Sequence, residues 1–578
     1  MKNFRAKLPL IGVTLALVMA MVVPAAAQEL PGPGEGGVII ESTFGGDPGS
    51  FNPLYCTGTD CQDNFLAFMF PALVGVDPAE GVIVPAGRGA LATDWEISDD
   101  GLVYTFTLRQ DLFWTDGTPV TAKDVLFGWE VATNPEAQSP RAYLAASIES
   151  VEMVDDYTIR MTFFSPDCVA LNYAGSIDIA PAHVFEGIPF SELQEHEFAT
   201  NPYVSAGVFQ MGEYRAGEQF TQIANQDYPD ALQGYVVPTG RVLKLVPDQT
   251  VQIEQFLAGE ITSLDFIPPH RRSDVRAAAE AGEVQVFDFA GNVWDYMAFN
   301  LADPTNPQPA FDEEGNRIDQ GHHPLFSDKR VRQAIARAVD VDAIVAGAVF
   351  GEGTRMPAQL VAASWAIHPD LEPIPYDVEA AQALLEEAGW VMGADGILVA
   401  TEDALYAEPG TPFRFTLYTN EGNARRETIG VVIQDQLNQV GIDVDFVAID
   451  FNTLLDIMDS QEFDAFILGW RAGYPDDPDT TQLFGAEADV PGSGYNFTSF
   501  YNEEYFELEA AARAVPGCDP DERAPYYWRM QEIMQDELPY LWLFSQNGMY
   551  AARANVINFN PYPAQIHWNV DEWAIAAQ

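Results

Sequence analysis

Hydrophobic and polar positions alternate along several short stretches of this 578-residue chain, a pattern typical of half-buried strands. Strands are predicted in this way at residues 38–44, 103–108 and 463–468. The last stretch stops at Gly469, and the loop that follows it carries aromatic rings, one arginine and several aspartates as far as Asp479. Rings for packing and charges for orientation suit a ligand cleft, so we predict a cleft wall here, with a surface turn as the alternative.

The period of the pattern changes twice between residues 413 and 446. It indicates a strand at 413–418, a helix at 429–440 that Gly441 ends, and a second strand at 442–446. Strand, helix and strand in this order predict a βαβ unit and therefore a parallel sheet. The stretch at 463–468 is expected to add a strand to that sheet, with its loop at the edge where ligands bind.

Two helices are also marked by their capping residues. Thr121 and Asp124 form a predicted capping box at the start of one helix. Asp377 is placed to cap a second helix, and Gly389 stands at the position where a glycine often ends one.

The first 27 residues predict an export signal. Lys2, Arg5 and Lys7 precede an apolar run at residues 8–23, and three alanines offer a cleavage site before Gln28. A retained membrane anchor is the alternative, but the run is short and contains Pro9. No lipobox cysteine follows, so we expect a protein free in the periplasmic space or at the cell exterior.

The net charge argues against some partners. The chain has 86 acidic and 28 basic residues, and three of the basic residues lie in the export signal, which leaves −61 after cleavage. Such a surface repels phosphate backbones and anionic lipids, so neither nucleic acid nor a membrane surface is an expected partner.

The cysteines and histidines do not indicate a metal site or cofactor. Cys56 and Cys61 lie close enough in sequence for a disulfide, whereas the pairing of Cys168 and Cys518 stays open. The seven histidines show no spacing such as HxxxH. We therefore expect no metal and no cofactor.

One long run resembles a known family. Residues 91–125, LATDWEISDDGLVYTFTLRQDLFWTDGTPVTAKDV, resemble the signature of the family 5 extracellular solute-binding proteins, the oligopeptide and dipeptide receptors of ABC importers. Blocks at 246–260, 296–300, 326–335, 376–390 and 521–543 continue the resemblance in order and spacing. Nearly the whole mature chain is covered.

The resemblance implies an α/β fold of two lobes, the periplasmic-binding-protein-like type II fold of cluster C. A chain of this length also exceeds what one core usually serves. We expect two hinge crossings, near 293–300 and 544–552. The expected divisions are a signal peptide at 1–27, lobe Ia at 28–76, subdomain Ib at 77–200, lobe Ia again at 201–290, lobe II at 291–544 and a C-terminal return to lobe Ia at 545–578.

The resemblance also points to residues of the ligand site. Peptide receptors of this family commonly bind the ligand's α-ammonium with an aspartate three residues after a Gly-Trp pair, and that position here is Gly473. Asp476 or Asp477 is a possible substitute, or the ligand lacks a free amino terminus. The complete set of predicted ligand-binding residues is Phe44, Asp47, Trp294, Tyr296, Arg355, Tyr418, Trp470, Arg471, Gly473, Tyr474, Asp476 and Tyr495.

Each of these residue types has a structural alternative. Trp470 and Tyr474 offer faces for stacking, but ordinary packing explains such rings equally well. Arg471 has the planar geometry to bind a carboxylate, and a surface ion pair is its alternative. Strand burial is the alternative for Trp294 and Tyr296, and solvent exposure is the alternative for Arg355.

The predicted function is that of a receptor and not of an enzyme. The chain lacks GxSxG, HExxH, P-loop and CxxC motifs. We expect a monomer that binds a small hydrophilic solute, most simply an oligopeptide, and delivers it to the permease and ATPase subunits of an ABC importer. An oligosaccharide ligand is the first alternative, and a secreted glycoside hydrolase is the enzymatic one.

Overall fold

The computed structural model describes residues 30–43, 50–56, 65–140, 142–145, 147–312, 314–473, 476–492 and 494–576. The export signal and the predicted site residues Phe44, Asp47 and Tyr474 lie outside the described residues, as does Cys61. Among the described residues, none of the helices combines the length and the apolar character needed to cross a lipid bilayer.

A mixed six-stranded sheet forms the centre of one half of the molecule. Its strands, in spatial order, are Gly353–Arg355, Tyr540–Gln546, Val293–Phe299, Ala465–Arg471, Arg414–Asn420 and Asp443–Ile449. The last two strands pair in parallel, and the helix Ala424–Gln439 joins them, so the predicted βαβ unit is confirmed. The strand that begins at Ala465 pairs in parallel with Arg414–Asn420, as expected, and it continues two residues past Gly469.

The other sheets lie outside this half or at its edge. One four-stranded sheet contains Val38–Thr43, Gly240–Leu245, Gln219–Ala224 and Phe209–Arg215, and another contains Ala92–Ile97, Val103–Leu108, Thr158–Phe163 and Ile148–Asp155. A three-stranded sheet contains Ser263–Leu264, Gly548–Arg553 and Val284–Phe289. The two-stranded pairs are Gly75–Val76 with Ile83–Val84, Trp390–Met392 with Leu398–Ala400, and Val556–Ile557 with Ala574–Ile575.

The longer α-helices of the described residues are Ala122–Thr133, Gln249–Ala258, Arg272–Glu280, Lys329–Ala338, Val341–Ala348, Val378–Glu387, Ala424–Gln439, Phe451–Ser460, Glu503–Arg513 and Pro520–Glu537. Shorter ones are Ala67–Met69, Ala170–Gly175 and Thr481–Phe484. The capping box predicted at Thr121 and Asp124 is present. Asp377 accepts a hydrogen bond from the Ala380 amide at 2.9 Å, and Gly389 has the left-handed φ of 86° that favours glycine.

The buried hydrophobic side chains form separate cores on the two sides of the molecule. The largest core contains residues from Trp294 to Phe544 only, and the other three contain residues from 39–284 and 549–573. We call residues 293–546 lobe II, and the described residues before 290 and after 547 lobe I. This division agrees with the two-lobed α/β fold expected from the sequence, whereas the finer limits of subdomain Ib stay a prediction.

The chain passes between the lobes at residues 290–292 and at Asn547. The second predicted crossing, 544–552, includes Asn547. The first, 293–300, is placed slightly too late, because the strand Val293–Phe299 lies inside lobe II with neighbours on both sides. From Trp294 onward its side chains are buried, as expected for a strand whose two faces are both covered.

A disulfide between Cys168 and Cys518 joins the lobes at a third place. Cys168 lies just before the helix Ala170–Gly175, whose residues belong to a lobe I core. Cys518 lies between two lobe II helices, Glu503–Arg513 and Pro520–Glu537. The sequence left this pairing open. Cys56 is also disulfide-bonded, but its predicted partner Cys61 is outside the described residues.

Candidate functional site

A cavity of about 550 Å³ lies between the two lobes, next to the chain crossing at residues 290–292. Arg471, Ala472 and Gly473 of lobe II line it together with Asn292. Lobe I contributes the larger part of the wall: Ala67, Phe68, Val76, Pro78, Arg88, Gly89, Val208, Tyr228, Asp265, Tyr550, Ala564, Gln565, Ile566, His567, Trp568 and Val570. Its volume falls within the range of pockets that hold small ligands, about 300–1,000 Å³.

The backbone fixes the lobe II side of the cavity. Arg471 is the last residue of its strand and pairs with Val293. The Ala472 amide donates a hydrogen bond of 2.9 Å to the Asn292 carbonyl, and the Asn292 side chain donates one of 2.8 Å back to the Ala472 carbonyl. The beginning of the predicted cleft loop is therefore attached to the first crossing between the lobes.

A buried polar cluster stands behind the lobe I wall. Glu41 accepts hydrogen bonds from the Arg241 guanidinium at 2.5 Å, from the His567 ring at 2.7 Å and from the Ser263 hydroxyl at 2.8 Å. Burial opposes ionisation of Glu41, but the charges and hydrogen bonds of His567 and Arg241 lower its pKa well below the ordinary value. Arg241 also donates a hydrogen bond of 3.1 Å to the Gln222 side chain.

Arg88 is a second cation at the lobe I wall, and its donors are directed at protein groups. It forms an ion pair with Asp571 and hydrogen bonds to the backbone carbonyls of Trp568 and Asp230. These contacts hold the segment around Trp568 against the loop that contains Arg88. The arginine therefore shapes the cavity wall more than it supplies charge to a ligand.

Two of the predicted site residues, Arg471 and Gly473, line the cavity. Trp470 is half-buried beside it, with its ring 6.3 Å from Tyr296 and 5.7 Å from the half-exposed Tyr495. Tyr418 packs against the lobe II core and is also half-buried.

Trp294 and Tyr296 are placed in the lobe II core and not at the cavity. They are 3% and 0% exposed, and they pack with Tyr540 and Trp542 on the neighbouring strand. The physical reason is that residues two apart on a strand share one face, and this face is covered. Strand burial, the alternative weighed from the sequence, accounts for both residues.

Arg355 and Asp476 are likewise engaged inside lobe II. Arg355 contacts Asp342 at 3.2 Å and donates to the Ile374 carbonyl at 2.6 Å, at the edge of the six-stranded sheet. Asp476 accepts a hydrogen bond of 2.6 Å from Ser364, and its carbonyl accepts one from the Trp365 ring. These contacts are made with neighbouring segments of the same lobe, and neither residue lines the cavity.

Asp477, the second proposed substitute for the missing carboxylate, is 3.1 Å from Arg523. Burial raises the pKa of Asp477 to about 6, although Arg523 opposes this shift. The next aspartate, Asp479, lies 3.6 Å from Arg513, which also forms an ion pair with Asp167 of lobe I. The acidic end of the loop thus leads from the cavity to the place where the disulfide joins the lobes.

The sequence did not indicate the lobe I residues of the cavity wall. Asp265, Tyr550 and His567 are far apart in sequence and stand in no recognisable motif. Pairing of Ser263 with Ala552 brings the segments of Asp265 and Tyr550 together, and the hydrogen bond between the His567 ring and Glu41 attaches the segment of His567.

Two α/β lobes with separate cores, two short crossings and a cavity between them define a solute-binding receptor that encloses its ligand. The family model for bacterial extracellular solute-binding proteins, family 5 Middle, matches residues 87–492. The chain belongs to this family, as its sequence predicted.

Its relatives include peptide-binding proteins. The chain is 26% identical to the oligopeptide-binding protein AppA of Bacillus subtilis over 551 residues, which cover 94% of this chain and 92% of that protein. It is 25% identical to the di/tripeptide-binding protein 3 of Pseudomonas aeruginosa over 518 residues, 86% of this chain and 87% of that one.

Solved structures share the fold. The structure of AppA from Bacillus subtilis in complex with a nonapeptide matches with a TM-score of 0.72 and 26% identity, covering 94% of this chain and 100% of that chain. NikZ from Campylobacter jejuni in complex with Ni(L-His) matches with a TM-score of 0.71 at 22% identity, covering 93% and 99%. The similarity to NikZ concerns the fold alone.

Proposed function

We propose that this protein is the extracytoplasmic receptor of an ABC importer and that it encloses a peptide in the cavity between its lobes. The observation that carries the proposal is the cavity itself, which lobe I and the Arg471–Gly473 segment of lobe II line together. A ligand that contacts both walls stabilises the closed arrangement, and its release to a permease requires that arrangement to open. The names of the two relatives support peptide as the ligand class.

The cavity wall has the mixture of groups that a peptide requires. Phe68 and Tyr550 supply apolar surface, whereas Asp265 and Arg471 supply charge of both signs. Charges of both signs suit a zwitterionic ligand better than a neutral one. The ring of Trp568, which also lines the cavity, is the observation that favours the oligosaccharide alternative, since sugar faces stack on such rings.

The remaining parts of the proposal concern setting and partners. The receptor acts outside the cytoplasm as a monomer, exchanges its ligand with permease subunits and catalyses no reaction. The acidic surface is compatible with solubility in that setting.

Mass spectrometry of ligands that co-purify with the native protein tests the proposal, followed by thermal-shift assays with peptides and oligosaccharides. A ligand at 100 times its Kd adds about 2.7 kcal/mol to the free energy of unfolding. We expect peptides to raise Tm and oligosaccharides to leave it unchanged. If oligosaccharides alone raise Tm, the ligand of this site is an oligosaccharide and not a peptide. Release of reducing ends from an oligosaccharide would identify a hydrolase.

A further inference from the structure

The wall of the cavity contains a carboxylate that the protein does not pair with a cation. Asp265 lines the cavity, and its side chain is exposed there. It follows directly after the strand Ser263–Leu264, so it lies on the same side of the chain as Ser263, whose hydroxyl contacts Glu41. Within the part of the chain that the structure describes, no basic side chain forms an ion pair with Asp265.

The basic side chains near Asp265 contact other acidic residues. Arg241 forms an ion pair with the buried Glu41, and the His567 ring is hydrogen-bonded to that same carboxylate. Arg88, at the same wall, forms an ion pair with Asp571. Arg241 and His567 act on Asp265 through their charge, but both contact Glu41 directly, and Asp265 lies on the cavity side of the cluster.

An uncompensated carboxylate at this place is unfavourable without a ligand cation. Desolvation by the surrounding protein and the nearby negative charge of Glu41 raise the pKa of Asp265, and the charges of His567 and Arg241 oppose this shift only in part. A cation that enters the cavity reduces this penalty and gains a charge-assisted hydrogen bond to the carboxylate. An ammonium group is the cation that a peptide carries at its amino terminus or on a lysine side chain.

We propose that Asp265 binds an ammonium group of the ligand, from the lobe I side of the cavity. The proposal rests on the proposed function, and it specifies which part of the ligand each lobe contacts. It also explains how the receptor recognises a free amine although Gly473 stands where the family's aspartate is expected. The amine then faces lobe I, and the rest of the ligand extends towards Arg471 and Gly473 of lobe II.

The test compares Asp265→Asn with Glu260→Gln, an equally conservative loss of one carboxylate at an exposed position of the same lobe. Calorimetry measures the Kd of each protein for a peptide in three forms: with a free amino terminus, N-acetylated, and N-acetylated with a lysine side chain. We expect the wild type and Glu260→Gln to bind an amine-bearing form about 10- to 100-fold more tightly than the amine-free form. Asp265→Asn is expected to lose this preference and to have a Tm no lower than that of the wild type without ligand.

The three peptides also identify the source of the ammonium. If only the peptide with a free amino terminus binds more tightly, Asp265 binds the α-ammonium. If the N-acetylated peptide with a lysine side chain binds equally tightly, Asp265 accepts any ammonium group. An Asp265→Asn protein that retains the wild-type preference would overturn the inference while leaving the proposed function intact. If the wild type binds no peptide, the proposed function fails. In that case a thermal shift with spermidine in the wild type but not in Asp265→Asn supports the role of Asp265, and an equal or absent shift overturns it.

Discussion

The aspartates of the cleft loop form hydrogen bonds and ion pairs with other side chains of lobe II. Asp476 is bound by Ser364, Asp477 by Arg523 and Asp479 by Arg513. These contacts fix the course of the loop from Asp476 onward, so the charges of these aspartates hold the loop in place. Under the proposal above, an ammonium group of the ligand is bound by Asp265 of the opposite wall, and Arg471 is the charged residue that this segment of lobe II presents to the cavity.

One buried acid of this region gives a pH prediction. Glu509 is 4% exposed; burial and the neighbouring charge of Asp479 raise its pKa from 4.5 to about 8. The folded protein therefore keeps a proton that the unfolded chain releases near pH 4.5. Because the folded state binds more protons, this group makes the free energy of unfolding fall as the pH rises from about 4.5 to about 8.

Glu509→Gln is expected to remove this fall in the free energy of unfolding with rising pH. Compared with the wild type, the variant should gain on the order of a few kcal/mol in free energy of unfolding between pH 5 and pH 9. Urea unfolding at the two pH values measures the difference. Glu507→Gln, at an exposed position of the same helix, is the control and should follow the wild type. Parallel pH curves for Glu509→Gln and the wild type would contradict the prediction.

Among the elements, the strand Ala465–Arg471 has the largest role in placing the site. It pairs with Val293–Phe299 on one side and with Arg414–Asn420 on the other, so its register is fixed from both directions. A central strand of this kind delivers Arg471 and Gly473 to the cavity with little freedom. Its position was predictable because the apolar run is long and the βαβ unit before it is clear.

The end of the helix Val378–Glu387 depends on a single glycine. Gly389 has a φ of 86°, and a Cβ added there would lie 2.4 Å from the Ala404 amide nitrogen. Gly396 has a similar φ of 85° with open space around its Cβ position. A Cβ at Gly389 therefore causes both backbone strain and steric overlap, whereas a Cβ at Gly396 causes backbone strain alone.

Gly389→Ala is expected to lower the free energy of unfolding by about 3 kcal/mol or more, since strain and overlap add. Gly396→Ala carries the strain alone and should cost about 1 kcal/mol. Chemical denaturation of both variants measures these values. Equal losses would mean that the overlap at Gly389 is relieved by movement of the segment around Ala404.

At the scale of the whole molecule, three covalent links connect the lobes within the part of the chain that the structure describes. Two are the chain crossings at residues 290–292 and Asn547, and the third is the disulfide Cys168–Cys518. Beside the disulfide, the Cys168 amide donates a hydrogen bond of 2.8 Å to the Arg513 carbonyl, and Arg513 forms an ion pair with Asp167. A hinge motion about the crossings must move these groups, so the disulfide limits how far the cavity opens.

The double variant Cys168→Ser, Cys518→Ser is expected to release ligand faster than the oxidised wild type and to unfold more easily, by about 2–5 kcal/mol. Stopped-flow displacement of a labelled peptide measures release, and denaturation measures stability. Treating the wild type with a reductant should reproduce the faster release. The same treatment of the double variant is the control, because it reports on the disulfide of Cys56 alone. Unchanged release rates would show that opening does not separate Cys168 from Cys518.

Sequence alone determined the local elements and the family of this protein. The alternation at residues 463–468, the change of period at 413–446 and the caps at Thr121 and Asp377 arise from contacts between near neighbours, which a linear pattern records. The resemblance at 91–125 then supplied the class of protein.

Only the tertiary structure decided which side chains meet at the cavity. Trp294 and Asp476 had the right chemistry for a ligand site, but neighbouring strands and loops cover or bind them. Asp265 and His567 carried no local signal, because contacts between segments far apart in sequence bring them together: Ser263 pairs with Ala552, and the His567 ring is hydrogen-bonded to Glu41. The same long-range packing pairs Cys168 with Cys518 across 350 residues. Burial and charge balance depend on such non-local contacts, so the residues of the site emerge only once the chain is folded.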